Sequence, residues 1–239
     1  MASKARLFYS KQLKSGIISQ LSLNQSHYIK NVIRLKPGDT ISLFNSSHGE
    51  WNAIILKLDK DFVEFKVDKL SRNDEEKNNL WLAFSPIKKN SQDFLIQKTT
   101  EIGIKKFIPL LCERSVVRKI NISRAEKIAM EASEQSNRIS VPEISKIQTL
   151  KSFLKNFPKT GRIYFCDINC KNKNIKTIST NQSPLCLLVG PEGDFSEKER
   201  QLIVDSKKSI SFSLSSNILR AETAAIAATT IITYILNSS

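Results

Sequence analysis

A short stretch near the carboxyl end of the chain restricts the fold most strongly. The run Leu185–Val189 is continuously apolar, as in a strand of a parallel sheet that is covered on both faces. Gly190–Phe195 follows at once and contains two glycines, which favours a tight turn. Ser196 and Glu199 then form the S-x-x-E pattern that begins a helix. The stretch therefore predicts a strand, a turn and a helix, with the turn at a strand end where α/β sheets bind ligands.

The next segment of the chain repeats this order. Ser209–Leu214 alternates like a strand, Ser215–Asn217 is a polar turn, and a helix rich in Ala and Thr is predicted from Ile218 to about Leu236. Arg220 and Glu222 fall in the first turn of that helix. Two adjacent strand ends with such turns predict a cup for a small polar molecule. An ordinary βαβ unit without a ligand explains the same pattern equally well.

The remainder of the chain divides into two regions that differ in their pattern of predicted strands and helices. Residues 1–70 contain short strand-like runs separated by turns, with helical spacing at His27–Leu35, which predicts a small barrel that carries one helix. Residues 71–79 are polar and are predicted to form a linker. Strand and helix patterns alternate over residues 80–239, which predicts an α/β domain with a parallel sheet.

Three predicted elements lie early in this α/β region. A helix is predicted over Ser91–Ile102, with Gly103 placed to end it. A strand is predicted over Phe107–Leu111, and polar residues follow its carboxyl end. Another helix is predicted over residues 123–137. The apolar residues of the 91–102 helix are expected to face the sheet, and Cys112–Ser115 places polar residues at a carboxyl strand end.

The composition limits the partners and the compartment. The 239 residues include 37 basic and 23 acidic side chains, for a net charge of +14, which favours a polyanionic partner such as nucleic acid but also fits a merely basic soluble protein. With two histidines, a His-rich metal site is not expected. No apolar run is long enough to cross a membrane, so a cytoplasmic location is expected. Four cysteines without C-x-x-C spacing are expected to be reduced, buried thiols: Cys112, Cys166, Cys170 and Cys186.

Several stretches together carry a resemblance to a known family. LLVGPEGDFSEKE and LSSNILRAETAAIAA resemble the paired C-terminal motifs of the trefoil-knot (SPOUT) RNA methyltransferases, and most of all the family that methylates N3 of a uridine in 16S ribosomal RNA. The stretches at 27–39, 93–117 and 125–144 agree with that family, so the resemblance spans nearly the whole chain. Asp194 and Ser215 depart from it, since the family usually has glycine at both positions.

The resemblance implies a fold, a cofactor and partners. It implies a PUA-like β-barrel that binds RNA, followed by an α/β trefoil-knot domain with a parallel sheet. It implies S-adenosyl-L-methionine as the cofactor, no metal, 16S rRNA of the small ribosomal subunit as the substrate, and a homodimer with each active site at its interface. The implied cofactor-binding residues are Leu188, Gly190, Glu192, Gly193, Leu214, Ser215, Ile218 and Leu219. A side chain added at Gly193 is expected to crowd the turn.

The residues expected to contact the RNA carry positive charge. They are Arg6, Arg34, Lys98, Arg114 and Arg138. Four of them have an alternative. Arg138 has Glu134 and Lys98 has Glu101 as ion-pair partners close by in the sequence. Arg6 and Arg34 are also explained as solvated surface charges.

The chemistry of uracil gives Arg220 and Glu222 catalytic roles under this resemblance. N3 of uracil carries a proton, so a nearby cation would favour the deprotonated base, and Arg220 is the candidate for that cation. Glu222 is the candidate for orienting the base or accepting its proton. A structural pair of Arg220 with Glu222 is the alternative. The activity itself also has alternatives: methylation of a ribose 2′-hydroxyl or of transfer RNA, or a non-catalytic RNA-binding assembly factor.

Overall fold

A computed structural model of the chain describes residues 4–73, 78–170 and 182–238. Residues 74–77 of the predicted linker 71–79 lie outside the described residues.

The chain forms two compact units, and each unit joins two separate segments of the sequence. Unit 1 consists of Met1–Glu76 and Ser133–Val141, and unit 2 consists of Lys77–Ala132 and Pro142–Ser239. The segment Ser133–Val141 thus belongs to unit 1, although the sequence pattern alone groups it with the α/β region.

One five-stranded sheet forms the framework of unit 1. Its strands are β1 (Arg6–Phe8), β2 (Ile18–Gln20), β3 (Thr40–Asn45), β4 (Gly49–Leu58) and β5 (Val63–Arg72). Their order in the sheet is β1-β3-β4-β5-β2, in which β1 pairs parallel to β3 and the other pairs are antiparallel. Alternate residues of the long strands, among them Ile41, Leu43, Ile55 and Phe65, are fully buried and form the core.

The helix of unit 1 begins earlier than its apolar spacing indicates. The α-helix α1 (Leu23–His27) starts at a capping box in which Ser22 and Gln25 bond each other's backbone N–H groups. It continues as a π-helix over Tyr28–Ile33. Arg34 ends it in the left-handed conformation, with φ of 60°. The predicted helix at His27–Leu35 is therefore the second half of a longer helical segment.

A buried carboxylate, Glu50, holds unit 1 together. Its Oε2 accepts hydrogen bonds from Arg6 at 3.1 Å and from Arg72 at 3.0 Å, and its Oε1 accepts one from Ser42 at 2.6 Å. Burial by itself would raise the pKa of Glu50, but the hydrogen bonds and the two guanidinium charges together hold that pKa below its usual value.

The same two guanidinium groups bind the returning segment of unit 1. Arg6 donates to the backbone carbonyls of Ser133, Glu134 and Arg138, and Arg72 donates to that of Asn137. These carbonyls follow or close a helix, where backbone acceptors lack intrahelical partners. The charged donors therefore satisfy a helix end while their own charges are balanced by the buried carboxylate.

Unit 2 is an α/β unit built on a parallel sheet, as the sequence predicted. Within the described residues, its strands are β6 (Leu80–Phe84), β7 (Lys106–Leu111), β8 (Glu143–Ile144), β9 (Gln148–Thr149), β10 (Arg162–Cys166), β11 (Leu185–Val189) and β12 (Ser209–Phe212). The order is β12-β10-β11-β6-β7-β8, with β9 also paired to β7, and every pair is parallel. The apolar run of β11 lies between β10 and β6 and is buried along its whole length, as its composition predicted.

Five helices accompany the strands of unit 2 in the described residues. They are α2 (Lys89–Ile102), α3 (Ile122–Gln135), α4 (Leu150–Asn156), α5 (Glu197–Val204) and α6 (Ala221–Ser238). Gly103 ends α2 with φ of 128°, a conformation that suits glycine, so this predicted stop is confirmed. The last helix begins at Ala221 and not at Ile218, and residues 213–220 form an irregular segment before it.

The cysteines expected to be buried thiols divide into two groups. Cys112 and Cys186 are buried, while Cys166 and Cys170 are partly exposed. Burial, with a smaller contribution from the negative charge of Glu199, raises the pKa of Cys112 to about 12, so this thiol stays protonated near neutral pH. None of the helices described has the length and apolar content needed to span a membrane.

Replacing Glu50 with Gln should destabilise the protein strongly. Removal of the carboxylate charge leaves Arg6 and Arg72 without their shared counter-ion, which should cost roughly 3–5 kcal/mol of unfolding free energy at about pH 7. Because the folded protein lowers the pKa of Glu50, the carboxylate contributes stability above its usual pKa of 4.5 and loses that contribution as the pH falls through the lower folded value.

Urea denaturation of wild type and variant measures this difference. The gap between them should be full at about pH 7 and should shrink as the pH falls below 4.5. Glu143→Gln is the matched control, since Glu143 pairs with Lys106 at an exposed position and should cost less than about 1 kcal/mol. Equal losses in the two variants would contradict the assignment of Glu50 as the central counter-ion.

Candidate active site

The parallel sheet of unit 2 brings several turns to one edge. Because β6, β10, β11 and β12 run in the same direction, the segments that follow them all leave the sheet at its carboxyl edge. A cavity of about 480 Å³ opens there. Its wall is formed by residues that follow these strands and by the first turns of α2 and α6. This is the position at which the sequence predicted a cup for a small molecule.

Part of the predicted site lines this cavity. The predicted residues that do so are Gly190, Glu192, Ile218, Leu219, Arg220 and Glu222. Ile218 is the most exposed of the apolar ones, at 87%, so it presents its side chain at the mouth. These predicted residues therefore contribute glycine backbone, two apolar side chains, a cation and two carboxylates to the wall.

The other four predicted cofactor residues lie outside the cavity wall. Leu188 is fully buried in the core of the sheet. Ser215 shapes its own turn, since its hydroxyl oxygen accepts a hydrogen bond from the backbone N–H of Asn217 at 3.0 Å. Leu214 precedes that turn, and Gly193 lies against Arg114. These residues border the site and support the turns that form it.

The turn after β11 uses its residues differently from the sequence prediction. The left-handed position belongs to Asp194, with φ of 59°, whose N–H donates to the carbonyl of Pro191 at 2.9 Å. The resembling family usually has glycine at this position, and aspartate is one of the few other residues that tolerate the conformation. The departure from the family pattern therefore keeps the backbone geometry of the turn.

Gly190 is the residue of this turn at which the backbone lies closest to a neighbouring side chain. A Cβ atom there would lie 2.9 Å from Cε2 of Phe195, a ring that is buried and packs edge-on against Phe165. A Cβ atom at Gly193 would find its nearest neighbour, the Cβ of Arg114, at an ordinary 3.5 Å. The crowding expected at Gly193 thus applies to Gly190.

Two buried carboxylates fix the turns around the cavity. Glu199 completes the predicted capping box with Ser196, and its other oxygen accepts the backbone N–H of Glu113 at 2.9 Å, which ties the turn after β7 to α5. Asp167 follows β10 and binds Arg200 of α5 at 2.8 Å. The hydrogen bond to Asp167 is the main reason that the pKa of Arg200 is raised. Both contacts hold α5, and hence the glycine turn before it, against neighbouring strand ends.

Arg114 contributes to the same arrangement. Its Nη1 donates to the carbonyl of Gly193 at 3.2 Å and to that of Phe195 at 3.4 Å. The residue is exposed and was expected to contact RNA. The structure shows that it also braces the glycine turn from outside.

The two predicted catalytic residues lie at the start of α6. Arg220 precedes the helix, and its carbonyl accepts the N–H of Ala224 at 2.8 Å, while its side chain is exposed at the cavity. Glu222 accepts a hydrogen bond from the hydroxyl of Ser91 at 3.1 Å. Among the described residues, Ser91 and not Arg220 is the hydrogen-bond partner of this carboxylate.

The local sequence patterns did not indicate the contribution of α2 to the wall. Lys88 and Ser91 both line the cavity, although they precede the glycine turn by about a hundred residues. A signal for them was present, since they follow the carboxyl end of β6, the strand that pairs with β11. The strand order needed to use that signal is not encoded in any local pattern.

The remaining predicted RNA-binding residues are spread over both units. Arg34 is exposed on unit 1, whereas Arg138 is buried there, with its Nη2 donating to Ser140. Arg6 has both terminal nitrogens engaged inside unit 1, and its guanidinium stacks 3.7 Å from the centre of the Phe44 ring. Lys98, on α2, pairs with Glu101 at 2.9 Å, so that alternative is confirmed.

The donor atoms present do not suggest a metal centre. Within residues 4–73, 78–170 and 182–238, no three His, Cys, Asp or Glu side chains are grouped so as to hold a metal ion. The chemistry available at the cavity is that of two cations, Lys88 and Arg220, with carboxylates and backbone groups around a partly apolar space.

Comparisons with known proteins agree with this architecture. The sequence profile of the RNA methyltransferase domain matches residues 74–233, and that of the RNA methyltransferase PUA domain matches residues 24–68. The ribosomal RNA small subunit methyltransferase E of Rickettsia conorii is 36% identical over 227 residues, which cover 93% of this chain and 92% of that protein. The protein of the same name from Bacillus subtilis is 28% identical, with coverage of 94% and 93%.

A solved structure extends the likeness to three dimensions. The ribosomal RNA small subunit methyltransferase E from Neisseria gonorrhoeae, bound to S-adenosyl methionine, superimposes with a TM-score of 0.87 at 28% identity and covers 97% of each chain. The expected fold class, an α/β methyltransferase domain that follows a PUA-like β domain, is confirmed. The profile match over most of the chain and the high identity to the Rickettsia protein show that this chain belongs to the RNA methyltransferase family.

Proposed function

We propose that the protein transfers a methyl group from S-adenosyl-L-methionine to N3 of a uridine in 16S rRNA of the small ribosomal subunit. The observation that carries the proposal is the cavity at the carboxyl edge of the sheet, which combines a cation, a carboxylate and glycine backbone. The names of the relatives from Rickettsia and Bacillus support the substrate, and the bound ligand of the Neisseria structure supports the cofactor. An enzyme with this substrate acts in the cytoplasm.

The residues present fit S-adenosylmethionine. The cavity volume of about 480 Å³ is in the range of small-ligand pockets. Gly190 lines the cavity, and the absence of a side chain there lets the turn pack against the buried ring of Phe195. Ile218 and Leu219 would hold the adenine, and Glu192 offers a carboxylate to the polar part of the molecule. When bound, the cofactor supplies a methyl group on a positively charged sulfur.

The chain's own residues would prepare the base. The Watson–Crick edge of uracil carries N3, so the target nucleotide must be unpaired or turned out of a helix. Arg220 is exposed at the cavity and would stabilise the negative charge that develops on the base as N3 loses its proton. Glu222, held at the same wall, would orient the base or receive that proton. Neither role requires a nucleophilic His or Cys.

We propose that unit 1 captures the RNA and that residues 73–79, the part of the predicted linker 71–79 that follows β5, join it to the catalytic region. Its match to the PUA domain profile supports this role, as does the positive charge of the chain. Arg34 is exposed on this unit and available to a phosphate. Lys98 and Arg114 on unit 2 are less available to the RNA, because each also has a protein partner. The internal contacts of Arg6 and Arg138 favour a supporting role for these two.

We also propose a homodimer that forms through α6. This helix exposes Tyr234 at 73% and Ile231 at 38% of their surfaces, and these two side chains, three positions apart on the helix, offer adjoining apolar area to a partner. Its buried face is occupied by small residues such as Ala225 and Ala228, so the exposed face remains available to a second copy.

Deletion of the gene should remove 3-methyluridine from small-subunit rRNA. Complementation with wild type should restore it, whereas Arg220→Ala should restore at most about one hundredth of the wild-type rate, because the variant lacks one of the two cations at the cavity. Nucleoside digests analysed by chromatography and mass spectrometry give the result. Arg118→Ala, which changes an arginine outside the cavity wall, is the control. Loss of a 2′-O-methyl nucleoside, with 3-methyluridine intact, would refute the proposal.

Replacing Tyr234 with Lys should weaken the dimer. The substitution removes an aromatic side chain from the apolar contact and introduces a charge that must be desolvated. The dissociation constant of the dimer should therefore rise by at least about 10-fold. Sedimentation velocity over a range of micromolar concentrations measures the change. Leu23→Lys is the control, because Leu23 is exposed to a similar degree, at 70%, but lies on unit 1. A wild-type protein that stays monomeric would contradict the proposed dimer.

A further inference from the structure

The first turns of α2 and α6 meet at the wall of the cavity. Ser91 is the third residue of α2 and Glu222 is the second residue of α6. The Ser91 hydroxyl donates to Oε1 of Glu222 at 3.1 Å, across 131 positions of sequence. Both residues line the cavity, together with Lys88 and Arg220. The first turn of α2, for which the sequence predicted no site residue, therefore contributes directly to the site.

The packing of the two helices makes this contact a fixed one. On α6 the buried residues are small, with Ala221 at 8% and Ala225 at 0% exposure, and α2 buries Leu95 and Thr99 completely. Small side chains let two helices approach closely, which brings their first turns within hydrogen-bonding distance. The position of the Ser91 hydroxyl therefore depends on a packed core and not on a mobile loop.

The hydrogen bond engages one oxygen of the Glu222 carboxylate and leaves the other available to a ligand. Oε1 of Glu222 is held by Ser91, and among the described residues Oε2 has no protein donor. Both oxygens belong to a partly exposed side chain at the cavity. A carboxylate fixed through one oxygen cannot rotate freely about its last bond, so its second oxygen keeps a defined direction.

We infer that Ser91 is a positioning residue for the methyl transfer, which fixes Glu222 so that Oε2 accepts the N3 proton of the target uracil. The inference rests on the proposed function. In the step, the N3–H bond breaks and its proton passes to Oε2. The electron pair left on N3 forms the new bond to the methyl carbon, and the bond from that carbon to sulfur breaks with its electrons retained by sulfur.

The two cations at the same wall make this proton transfer feasible. A carboxylate is a weaker base than the uracil anion, so the anion must be stabilised as the proton leaves. Arg220 and Lys88 both line the cavity and carry the required charge. The edge formed by Lys88, Ser91, Arg220 and Glu222 is therefore the side of the cavity that receives the base.

The test compares Ser91→Ala with Ser91→Thr on small ribosomal subunits from the deletion strain. Loss of the hydroxyl should lower kcat for 3-methyluridine formation by about 10- to 100-fold, with KM for the subunits changed by less than about 3-fold. Threonine keeps the hydroxyl and should restore kcat to within about 5-fold of wild type. Asn90→Ala, an exposed neighbour outside the cavity wall, should leave both constants unchanged.

Two further measurements separate positioning from a structural defect. Calorimetry should give Ser91→Ala an affinity for S-adenosylmethionine within about 3-fold of wild type, and its melting temperature should stay close to that of wild type. The double variant Ser91→Ala with Glu222→Gln should be no slower than Glu222→Gln alone, because Ser91 acts through Glu222.

Distinct outcomes would overturn the inference and the proposed function. A wild-type kcat in Ser91→Ala, a loss confined to KM or cofactor affinity, no rescue by threonine, or additive effects in the double variant would each overturn the role of Ser91 while the methyltransferase function stands. A wild-type protein that makes no 3-methyluridine in the subunits would refute the proposed function, and the inference would fall with it.

Discussion

The parallel pairing of β6, β10, β11 and β12 is the constraint on which the site depends. Parallel strands place all their carboxyl ends at one edge, so turns that are far apart in sequence emerge side by side. The buried apolar run of β11 stabilises the centre of this arrangement, with Leu188 paired to Phe165 on one side and to Ala83 on the other. Any change that shifted this register would move the walls of the cavity together.

Buried carboxylates give both units their rigidity, in the same physical way. In unit 2, Asp167 and Glu199 hold α5 to the strand ends around the cavity, and in unit 1, Glu50 holds two arginines and the segment that they bind. A buried charge is tolerated where partners satisfy it, and removal of one partner is then costly. The cavity wall is therefore built from fixed groups, which suits a reaction whose catalysis depends on orientation.

Local sequence signals predicted the parts of the fold that local physics determines. The apolar run before Gly190, the capping box of Ser196 with Glu199, and the helix stop at Gly103 are found where the sequence indicated. These features depend on neighbouring residues and on the burial of one strand. The position of Arg220 and Glu222 at the cavity followed from the same strand and helix order.

Features that depend on distant contacts could not be predicted in this way. The hydrogen bond between Ser91 and Glu222 and the role of Arg6 inside unit 1 each join residues more than 120 positions apart. The turn after β11 shows a subtler limit, because its two glycines indicated a tight turn, whereas the left-handed position within it belongs to Asp194. A pattern of residue types predicts where a turn lies, whereas the structure shows which residue adopts its left-handed backbone conformation.

Calorimetric titration with S-adenosylmethionine tests most directly whether this edge of the sheet is the cofactor site. The titration compares wild type with Gly190→Ala and Gly193→Ala. Wild type should bind, and Gly190→Ala should weaken binding by at least about 10-fold, since the new Cβ lies 2.9 Å from the buried ring of Phe195 and must displace the turn. Gly193→Ala should bind within about 3-fold of wild type, because its Cβ makes only ordinary contacts. Melting temperatures confirm that both variants are folded. Equal affinity in wild type and a folded Gly190→Ala, or no binding by wild type, would contradict the account.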